Sequence, residues 1–231
     1  MKKKNAGQID LKNLTSRELE ELVISLGEKP YRGRQLMNWM YQNPVSSFEE
    51  MTNLPKKFRT KIEEVSCIST LETALVKTAR DGTRKFLFTL HDGNQIESVL
   101  IPEKKHQTIC ISTQVGCAMG CTFCLSGKSG LIRNLTAAEI VNQICTIKND
   151  CLDKDTTTNI VFMGMGEPLA NFENTLKALH ILTDPLGFHF PCRRITVSTA
   201  GLTPQIKRLG QELPVNLAIS LNAATNAQRD V

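Results

Sequence analysis

The sequence predicts an α/β protein in which a partial (β/α) barrel of about four βα units follows a small α-helical domain and a short β-hairpin region. Three observations support this fold class. Strand-like and helix-like segments alternate from residue 108 onward, which is typical of parallel strands joined by helical crossovers. Two Asp-Gly turns separate three short apolar runs before that point. Helix signals dominate the residues that precede those runs.

Residues 1–65 are expected to form the helical accessory domain. Thr15 and Glu18 have the spacing of a capping box, and the apolar residues that follow them end at Gly27. A second helix is expected over 31–41, and Pro55 is expected at the first helical position of a third helix.

Residues 66–104 are expected to form a β-rich extension that links the two larger parts. Three strand-like runs occupy residues 71–78, 84–90 and 95–101. Asp81-Gly82 and Asp92-Gly93 lie between these runs, and Asp-Gly is a strong signal for a tight hairpin turn.

Residues 105–231 are expected to form the barrel core. Its strands are expected at 108–115, 159–164, 194–199 and 215–221, and its helices at 136–149, 172–183 and 203–210. Thr136 and Glu139 have the spacing of a capping box at the start of the first of these helices. Fully buried parallel strands usually read as continuous apolar runs, whereas polar and apolar residues alternate in these strands. Cys110, Ser112 and Gln114 share one face of the first strand. We therefore expect the polar face to line the interior of a curved sheet, where a cofactor and a substrate would bind.

The composition is that of an ordinary globular protein. Charged residues make up 22% and apolar residues 41% of the 231 residues. No apolar stretch approaches the roughly 20 residues that span a membrane. The net charge of +5 permits an anionic partner such as nucleic acid without requiring one. Four of the eight cysteines lie between residues 110 and 124, unlike a disulfide framework, so we expect a cytoplasmic location.

The most informative motif is Cys117-Ala-Met-Gly-Cys121-Thr-Phe-Cys124. A structural zinc site takes four protein ligands, which three thiolates on one short loop cannot supply. Three cysteines can instead hold three irons of a cubane cluster and leave the fourth iron open to a small molecule.

A second motif, Met163-Gly-Met-Gly-Glu-Pro168, follows the next predicted parallel strand. Its glycines would let the backbone approach a ligand closely, and Glu167 can accept a hydrogen bond from a ligand ammonium. By itself this motif fits an ordinary βα turn equally well. Its value lies in its occurrence beside the cysteine motif.

Together the two motifs resemble the radical S-adenosylmethionine superfamily. Longer strings resemble its RlmN family of dual-specificity RNA methyltransferases: residues 97–102, 110–117, 163–169, 195–201 and 220–222. The resemblance implies methylation of C2 of adenosine-2503 in 23S rRNA and of adenosine-37 in certain tRNAs. The implied cofactors are a 4Fe-4S cluster and S-adenosylmethionine. The implied partners are 23S rRNA, tRNA and an electron donor such as flavodoxin or ferredoxin, with no membrane.

The resemblance also implies a reaction sequence. Adenine C2 is an electron-poor carbon that cannot attack a sulfonium methyl group in a polar displacement, so the transfer needs a radical. In the family, a 5′-deoxyadenosyl radical abstracts hydrogen from a methylated cysteine, and the resulting carbon radical adds to C2. A base then removes the C2 proton, and a second cysteine releases the product by forming a disulfide.

The resemblance assigns roles to individual residues. The cluster ligands are Cys117, Cys121 and Cys124; the S-adenosylmethionine contacts are Gly166, Glu167, Ser198, Ser220, Leu221 and Asn222; the proton acceptor is Glu97 and the resolving cysteine is Cys110. Without the resemblance, Cys110 would more simply be a buried strand cysteine and Glu97 a solvated carboxylate. Asn222 stands where many relatives have histidine, and either side chain can hydrogen-bond a ribose or a carboxylate.

The helical domain resembles the RNA-binding accessory domain of this family. Its second and third predicted helices carry six basic residues: Arg32, Arg34, Lys56, Lys57, Arg59 and Lys61. Composition alone would favour a solvated face for these residues.

The resemblance further indicates that the chain is C-terminally truncated. The alternating region supplies four strands where the family has six, and the methyl-carrying cysteine of the family lies in the absent portion. We therefore expect weak or no turnover from this chain alone. Three other functions stay open: a C8-methylating antibiotic-resistance relative, a radical-generating activase of another protein, and an RNA-binding or electron-transfer module.

Overall fold

The helical domain forms where the sequence predicts it. The structure is a computed structural model that describes residues 7–151 and 156–229, so the outermost residues of the expected accessory and core domains lie outside it. The first elements are β1 (Ile9–Asp10), α1 (Ser16–Ser25), α2 (Tyr31–Tyr41), α3 (Lys56–Val65) and β2 (Ser66–Cys67). Thr15 and Glu18 form the predicted capping box of α1. Pro55 is the N-cap of α3 rather than its first helical residue, so the helix begins one residue later than expected.

The remaining elements follow the predicted alternation closely. The extension contains β3 (Glu72–Thr78), β4 (Arg84–Thr89) and β5 (Gln95–Pro102). The core contains β6 (His106–Cys110), β7 (Gln114–Gly116), α4 (Leu125–Lys128), β8 (Leu131–Asn134), α5 (Ala137–Cys151), β9 (Thr157–Phe162), α6 (Phe172–Thr183), β10 (Ile195–Thr199), α7 (Thr203–Glu212), β11 (Asn216–Ile219) and α8 (Asn226–Arg229). The predicted capping box of α5 is present, with Thr136 and Glu139 bonded to each other's backbone N–H groups.

One sheet contains both the extension and the core. Its seven strands have the order β11-β10-β9-β6-β5-β4-β3. The four core strands β6, β9, β10 and β11 are parallel, as the alternation predicts, whereas β3, β4 and β5 continue the sheet as antiparallel neighbours. The expected boundary between residues 104 and 105 therefore divides two paired strands, β5 and β6, and the extension is part of the core sheet rather than a linker.

The first core strand is shorter than the sequence predicts. The alternation suggested one strand over 108–115, but β6 ends at Cys110, and β7 leaves to pair with β8 in a separate two-stranded sheet. The reason is that backbone groups after Ile111 bond to other partners: the N–H of Ser112 donates to the Gln143 side chain, and the N–H of Thr113 donates to the Met165 carbonyl. Ser112 and Gln114 are fully buried as a result and do not line an open polar face.

The two faces of the main sheet differ as the alternation predicts. One face carries apolar side chains that are fully buried under the core helices: Ile109, Ile160, Phe162, Ile195 and Val197 from the strands, and Ile140, Val141, Ile144, Leu179 and Leu182 from α5 and α6. Burying each such side chain contributes about 1.5–3 kcal/mol. The other face is half-exposed and carries the polar positions.

The helical domain docks on the outside of α5 and α6. The Lys12 ammonium donates to Asn142 Oδ1 at 2.6 Å, and the Asn13 side chain accepts from the Ala138 N–H at 2.8 Å. These contacts fix the start of the chain against α5. Within the described ranges, none of the helices combines the length and the apolar character that crossing a lipid bilayer requires.

Candidate functional site

The three cysteines of the first motif lie in one loop, which a short hairpin closes. Residues 117–130 connect β7 to β8, and we call them the cysteine loop. The Cys117 N–H donates to the Gly130 carbonyl at 3.0 Å, so the ends of the loop meet. Gly116 has a φ of +75°, and a Cβ on it would collide with the Gly130 carbonyl oxygen. Only glycine fits at this crossing.

The thiols of the loop are free and close to a carboxylate. Cys117 is buried and Cys121 and Cys124 are half-buried, and none of them forms a disulfide. Burial raises the pKa of the Cys117 thiol, and the neighbouring groups of Cys121, Glu167 and Cys124 raise it further, against a hydrogen bond from the Met119 N–H. In the part of the chain that the structure describes, no three His, Cys, Asp or Glu side chains are grouped closely enough to hold a metal ion.

The glycines of the second motif contact the chain itself. A Cβ on Gly164 would lie 2.6 Å from Ser112 Oγ and 2.7 Å from the Ile111 carbonyl oxygen. Gly166 has a φ of +98°, and a Cβ on it would lie 2.5 Å from the Cβ of Gln114. The motif thus needs glycine in order to pack against the segment after β6, whereas the sequence suggested that these glycines make room for a ligand.

Glu167 links three segments of the site. Its carboxylate is buried and accepts from the Leu169 N–H at 3.0 Å and from the Ala200 N–H at 2.8 Å. Its own N–H donates to Gln114 Oε1 at 2.8 Å. These bonds hold the loop after β9 against the loop after β10 and against β7. Each carboxylate oxygen accepts one protein hydrogen bond and keeps a lone pair for a further donor.

Glu97 and Cys110 lie on the same face of the main sheet. Val99 is directly opposite Cys110, and Glu97 is two residues before Val99, so its side chain points to the same side. The Glu97 side chain is 41% exposed and its Oε1 is 2.7 Å from Lys85 Nζ. Burial raises the pKa of the Cys110 thiol, with a smaller opposing effect from a hydrogen bond with the Met163 backbone. Cys110 is therefore a protonated thiol at neutral pH, on the half-exposed face that the alternation predicts.

The remaining predicted cofactor contacts lie at the carboxyl ends of the last two parallel strands. The hydroxyl oxygens of Ser198 and Ser220 are 3.3 Å apart, and the Ser220 N–H donates to the Thr199 carbonyl at 2.9 Å. Leu221 and Asn222 follow and are exposed. The carboxyl edge of a parallel sheet is where α/β folds bind ligands, and the cysteine loop and Glu167 lie at that same edge.

The decisive comparison concerns residues 111–231. This segment, just over half of the chain, matches the family model of the radical SAM superfamily. The chain belongs to the radical SAM superfamily. Residues 9–68 match a second model, described as the ribosomal RNA large subunit methyltransferase N-terminal domain. That match covers the helical domain and ends close to the residue where the sequence predicted a boundary.

Curated relatives and a solved structure agree with the superfamily assignment. The chain is 52% identical over 223 residues to a dual-specificity RNA methyltransferase RlmN from Geotalea uraniireducens (strain Rf4), covering 96% of this chain and 64% of that protein. It is 54% identical to the protein of the same name from Geobacter sulfurreducens, covering 61% of it. A radical SAM methyltransferase from Sphaerobacter thermophilus superposes with a TM-score of 0.85 at 43% identity, over 93% of this chain and 64% of that one. The chain spans less than two thirds of the length of these relatives.

The donor set of this radical SAM chain fits the superfamily cofactors, a 4Fe-4S cluster and S-adenosylmethionine. The cysteine loop offers three free thiols, one fewer than the four that close a cubane cluster. One iron would therefore stay open for S-adenosylmethionine, and the buried carboxylate of Glu167 contributes to the electrostatic environment of Cys117. The thiols would have to approach one another as the cluster binds.

A buried polar network behind the site was missed in the sequence. The fully buried side chain of Gln143 accepts from Ser98 Oγ at 2.6 Å and from the Ser112 N–H at 2.8 Å. Ser112 Oγ donates to the Glu97 carbonyl at 2.6 Å and accepts from the Met165 N–H at 2.8 Å. The sequence does contain a signal for this network: Gln143 lies three residues after Ile140 on the same helix face, so a polar side chain interrupts the apolar stripe of α5. This network fixes the backbone of Glu97.

The basic residues of the helical domain divide into two groups. Four contact their own domain: Arg32 donates to the Asn53 carbonyl, Arg59 to the Glu49 carbonyl and Lys61 to the Leu26 carbonyl, and Arg34 pairs with Glu20 at 3.4 Å. Lys56 and Lys57 are exposed on the first turn of α3. Cations at the N-terminus of a helix are electrostatically unfavourable for the helix.

Proposed function

We propose that this chain is the cofactor-binding and proton-accepting part of a radical SAM methyltransferase that adds a methyl group to C2 of an adenine in RNA. The observation that carries the proposal is the placement of Cys110 and Glu97 on one face of the sheet whose carboxyl edge bears the cysteine loop. A cluster loop alone fits any superfamily member. A thiol and a carboxylate on neighbouring strands match two of the further groups that C2 methylation needs in the family.

The radical chemistry needs bound cofactors, whereas the proton transfer and the release of the product need side chains of the protein. Carbon 2 of adenine is electron-poor, so a methyl group cannot be transferred to it in a polar displacement, and the bound cofactors supply radical chemistry instead. Cys117, Cys121 and Cys124 would hold the cluster. Gly166, Glu167, Ser198, Ser220, Leu221 and Asn222 would bind and orient S-adenosylmethionine. The protein's own work is to hold these groups, to accept a proton and to supply a thiol.

Glu97 is the group that would accept the proton from C2. It is exposed enough to reach a substrate, and its backbone is fixed through the Ser112 hydroxyl. The Lys85 ammonium lies 2.7 Å from Glu97 Oε1 and helps to orient the carboxylate. A base in this position must stay within hydrogen-bond reach of the proton that it removes.

Cys110 is the thiol that would resolve the protein–RNA adduct. It lies beside Val99 on the strand next to that of Glu97, so both side chains can face one bound base. Burial raises the pKa of its thiol, which favours the protonated form over the reactive thiolate.

RNA is the proposed macromolecular partner, with 23S rRNA and tRNA as substrates. The relatives carry the words dual-specificity RNA methyltransferase in their names, and the helical domain matches a domain named for ribosomal RNA methylation. Lys56 and Lys57 are the basic residues best placed to bind a phosphate, since four of the other basic side chains already bind the domain itself.

We further propose a small iron–sulfur or flavin protein as electron donor and a cytoplasmic location. The expected domains, 1–65, 66–104 and 105–231, are kept as functional units only, because the last two share a sheet.

Anaerobic reconstitution tests the cluster. The wild-type chain should bind about four irons, the content of one cubane cluster, and should cleave S-adenosylmethionine to 5′-deoxyadenosine when reduced. Cys121→Ala should lose both properties, whereas Cys192→Ala, just before β10 and outside the loop, should keep both. Stoichiometric zinc in place of iron would contradict the proposal.

Methyl mapping tests the substrate and the carbon. RNA from cells that carry the intact gene should contain 2-methyladenosine that is absent when the gene is deleted. A methyl group at C8 would assign the protein to the C8-methylating relatives. Unchanged RNA, together with an active cluster, would instead favour a substrate other than RNA.

A further inference from the structure

The cysteine loop is not part of the main sheet, so other contacts must set its position. Its two ends belong to the β7–β8 sheet, which, among the described residues, shares no ladder with the seven main strands. The β7 end continues from β6 and is held by the Gln114–Glu167 hydrogen bond. The β8 end is held to β7 by their ladder and by the hydrogen bond from Gln114 to Asn134 at 2.8 Å, and it has one further attachment to elements outside this hairpin.

Arg133 provides that attachment. It lies on β8 directly opposite Val115, and its guanidinium makes contacts to two different elements. Its Nε donates to Asp92 Oδ2 at 2.6 Å, and its Nη1 and Nη2 donate to the two carboxylate oxygens of Glu139 at 2.8 Å each. A further bond at 3.1 Å to the Asn134 carbonyl fixes the guanidinium against its own strand. Planar two-point pairing of this kind is specific to arginine.

Both acceptors are themselves fixed. Asp92 lies in the turn between β4 and β5, where it accepts from the N–H and the side-chain amide of Asn94 at 3.1 and 2.9 Å. Glu139 also accepts from the Thr136 N–H at 2.9 Å as part of the capping box of α5. The Arg133 side chain is only 25% exposed and that of Glu139 only 11%, so solvent screens these contacts weakly. The pKa of Asp92 lies well below its ordinary value and that of Arg133 above its own, each chiefly because of hydrogen bonds between the guanidinium and the carboxylates.

We propose that Arg133 is the positioning residue of the cysteine loop, which anchors the cluster site to the strand that carries Glu97. Asp92 lies five residues before Glu97, in the turn that leads into the same strand, and Arg133 lies three residues after the loop ends at Gly130. The guanidinium therefore connects the loop that would hold the cluster to the β4–β5 hairpin, which carries the proposed proton acceptor Glu97. This inference rests on the proposed function for its chemical meaning, and its structural part can be tested without the cluster.

The test uses three variants of the full chain. Arg133→Met removes the charge and keeps much of the side-chain bulk, and Arg133→Lys keeps the charge but loses the two-point contact. Arg208→Met is the matched control, because Arg208 forms a comparable but exposed ion pair with Glu173 at 2.7 Å, outside the loop and its attachments. Each chain is compared with wild type by amide hydrogen exchange in the cluster-free state and by the rate at which a chelator removes iron after anaerobic reconstitution.

We expect Arg133→Met to exchange the amides of residues 114–134 at least about tenfold faster and to lose iron about tenfold faster. Removing the guanidinium leaves the partly buried carboxylates without their partner, and the free-energy cost exceeds that of a tenfold change in an equilibrium constant. Arg133→Lys should fall between this variant and wild type, and Arg208→Met should match wild type. The exchange of α3, which contacts none of the substituted side chains, should stay unchanged in all of them, and this separates local release of the loop from general loss of structure. If Arg133→Met does not fold, Arg133→Lys and Asp92→Asn carry the same comparison.

Wild-type exchange over 114–134 and wild-type iron loss in Arg133→Met would overturn the inference. A wild-type chain that takes up no iron would instead refute the proposed function. In that case faster exchange in Arg133→Met alone would still establish the anchor. Faster exchange with unchanged iron retention would show that the anchor does not position the cluster.

Discussion

Replacing Gly166 with alanine tests what the second motif is for. A Cβ on this residue would lie 2.5 Å from the Cβ and 2.7 Å from the Cγ of Gln114, and the backbone φ of +98° disfavours every residue with a side chain. The conformation alone costs about 1–2 kcal/mol. Overpacking a buried contact adds about 1–3 kcal/mol. We therefore expect Gly166→Ala to lower the free energy of unfolding by about 2–5 kcal/mol, a large part of the 5–15 kcal/mol typical of a protein.

Two other glycines separate the strain from the clash. Gly93 has a φ of +84°, and no atom lies within 4 Å of the position that a Cβ would take, so Gly93→Ala should show only the conformational cost of about 1–2 kcal/mol. Gly210 lies in α7, also with open space around it, and Gly210→Ala should stabilise the protein by about 0.5–1 kcal/mol through helix propensity. The expected order of stability is Gly210→Ala, wild type, Gly93→Ala, Gly166→Ala.

Urea unfolding and thermal unfolding of the cluster-free chains measure this order. For a chain of this length, 1 kcal/mol corresponds to a Tm change of about 2–4 °C, so Gly166→Ala should melt about 4–20 °C below wild type. The packing role would be refuted by a Gly166→Ala variant that is as stable as wild type. If that stable variant also failed to bind S-adenosylmethionine, the glycine would serve ligand approach alone.

Three further predictions concern single side chains. Glu167→Gln replaces an acceptor oxygen with an amide donor opposite the Ala200 N–H or the Leu169 N–H, so we expect a loss of about 1–3 kcal/mol in urea unfolding and weaker S-adenosylmethionine binding by calorimetry; binding that stays unchanged would exclude a role in the cofactor site. Cys110 should be alkylated by iodoacetamide only above the pH at which an ordinary thiol ionises, because burial raises its pKa, and rapid labelling at pH 7 in the folded chain would contradict this. Asp92→Asn should be less stable than wild type at pH 7. Because the pKa of Asp92 is lowered in the folded state, its ionised carboxylate stabilises the fold above the ordinary aspartate pKa of about 4. This stabilisation is lost as the pH falls through the lower folded-state pKa. The deficit in Tm of the variant should therefore shrink at low pH, and a constant deficit would argue against the ion pair.

Local signals in the sequence predicted most elements of the fold. The capping boxes at Thr15 and Thr136, the Asp-Gly turns and the alternation of polar and apolar residues depend on neighbours a few positions apart, so they can be read from the chain alone. The polar face was correctly predicted at Cys110 for the same reason.

Features that depend on distant partners could not be predicted. Val115 continues the alternation of β6, and only the bonds of Ser112 and Thr113 to α5 and to the loop after β9 reveal that the strand has ended. Arg133 pairs with Asp92, which lies 41 residues away in sequence. The packing of the motif glycines against residues 111–114 could not be predicted, because that segment is remote in sequence, and the contact of Gly166 with S-adenosylmethionine stays a prediction. The roles of individual site residues follow from the family resemblance and await the experiments above.

The shared sheet has a consequence for engineering this protein. A chimera joined at residues 104 and 105 would combine β5 of one parent with β6 of another, and four residue pairs of that ladder would then meet unfamiliar partners. A shift of one position in such a graft would turn Glu97 toward the apolar helices instead of the open side. Recombination between homologues should therefore cross over between β2 and β3, which belong to different sheets, and insertions are best placed in the turn at 103–105.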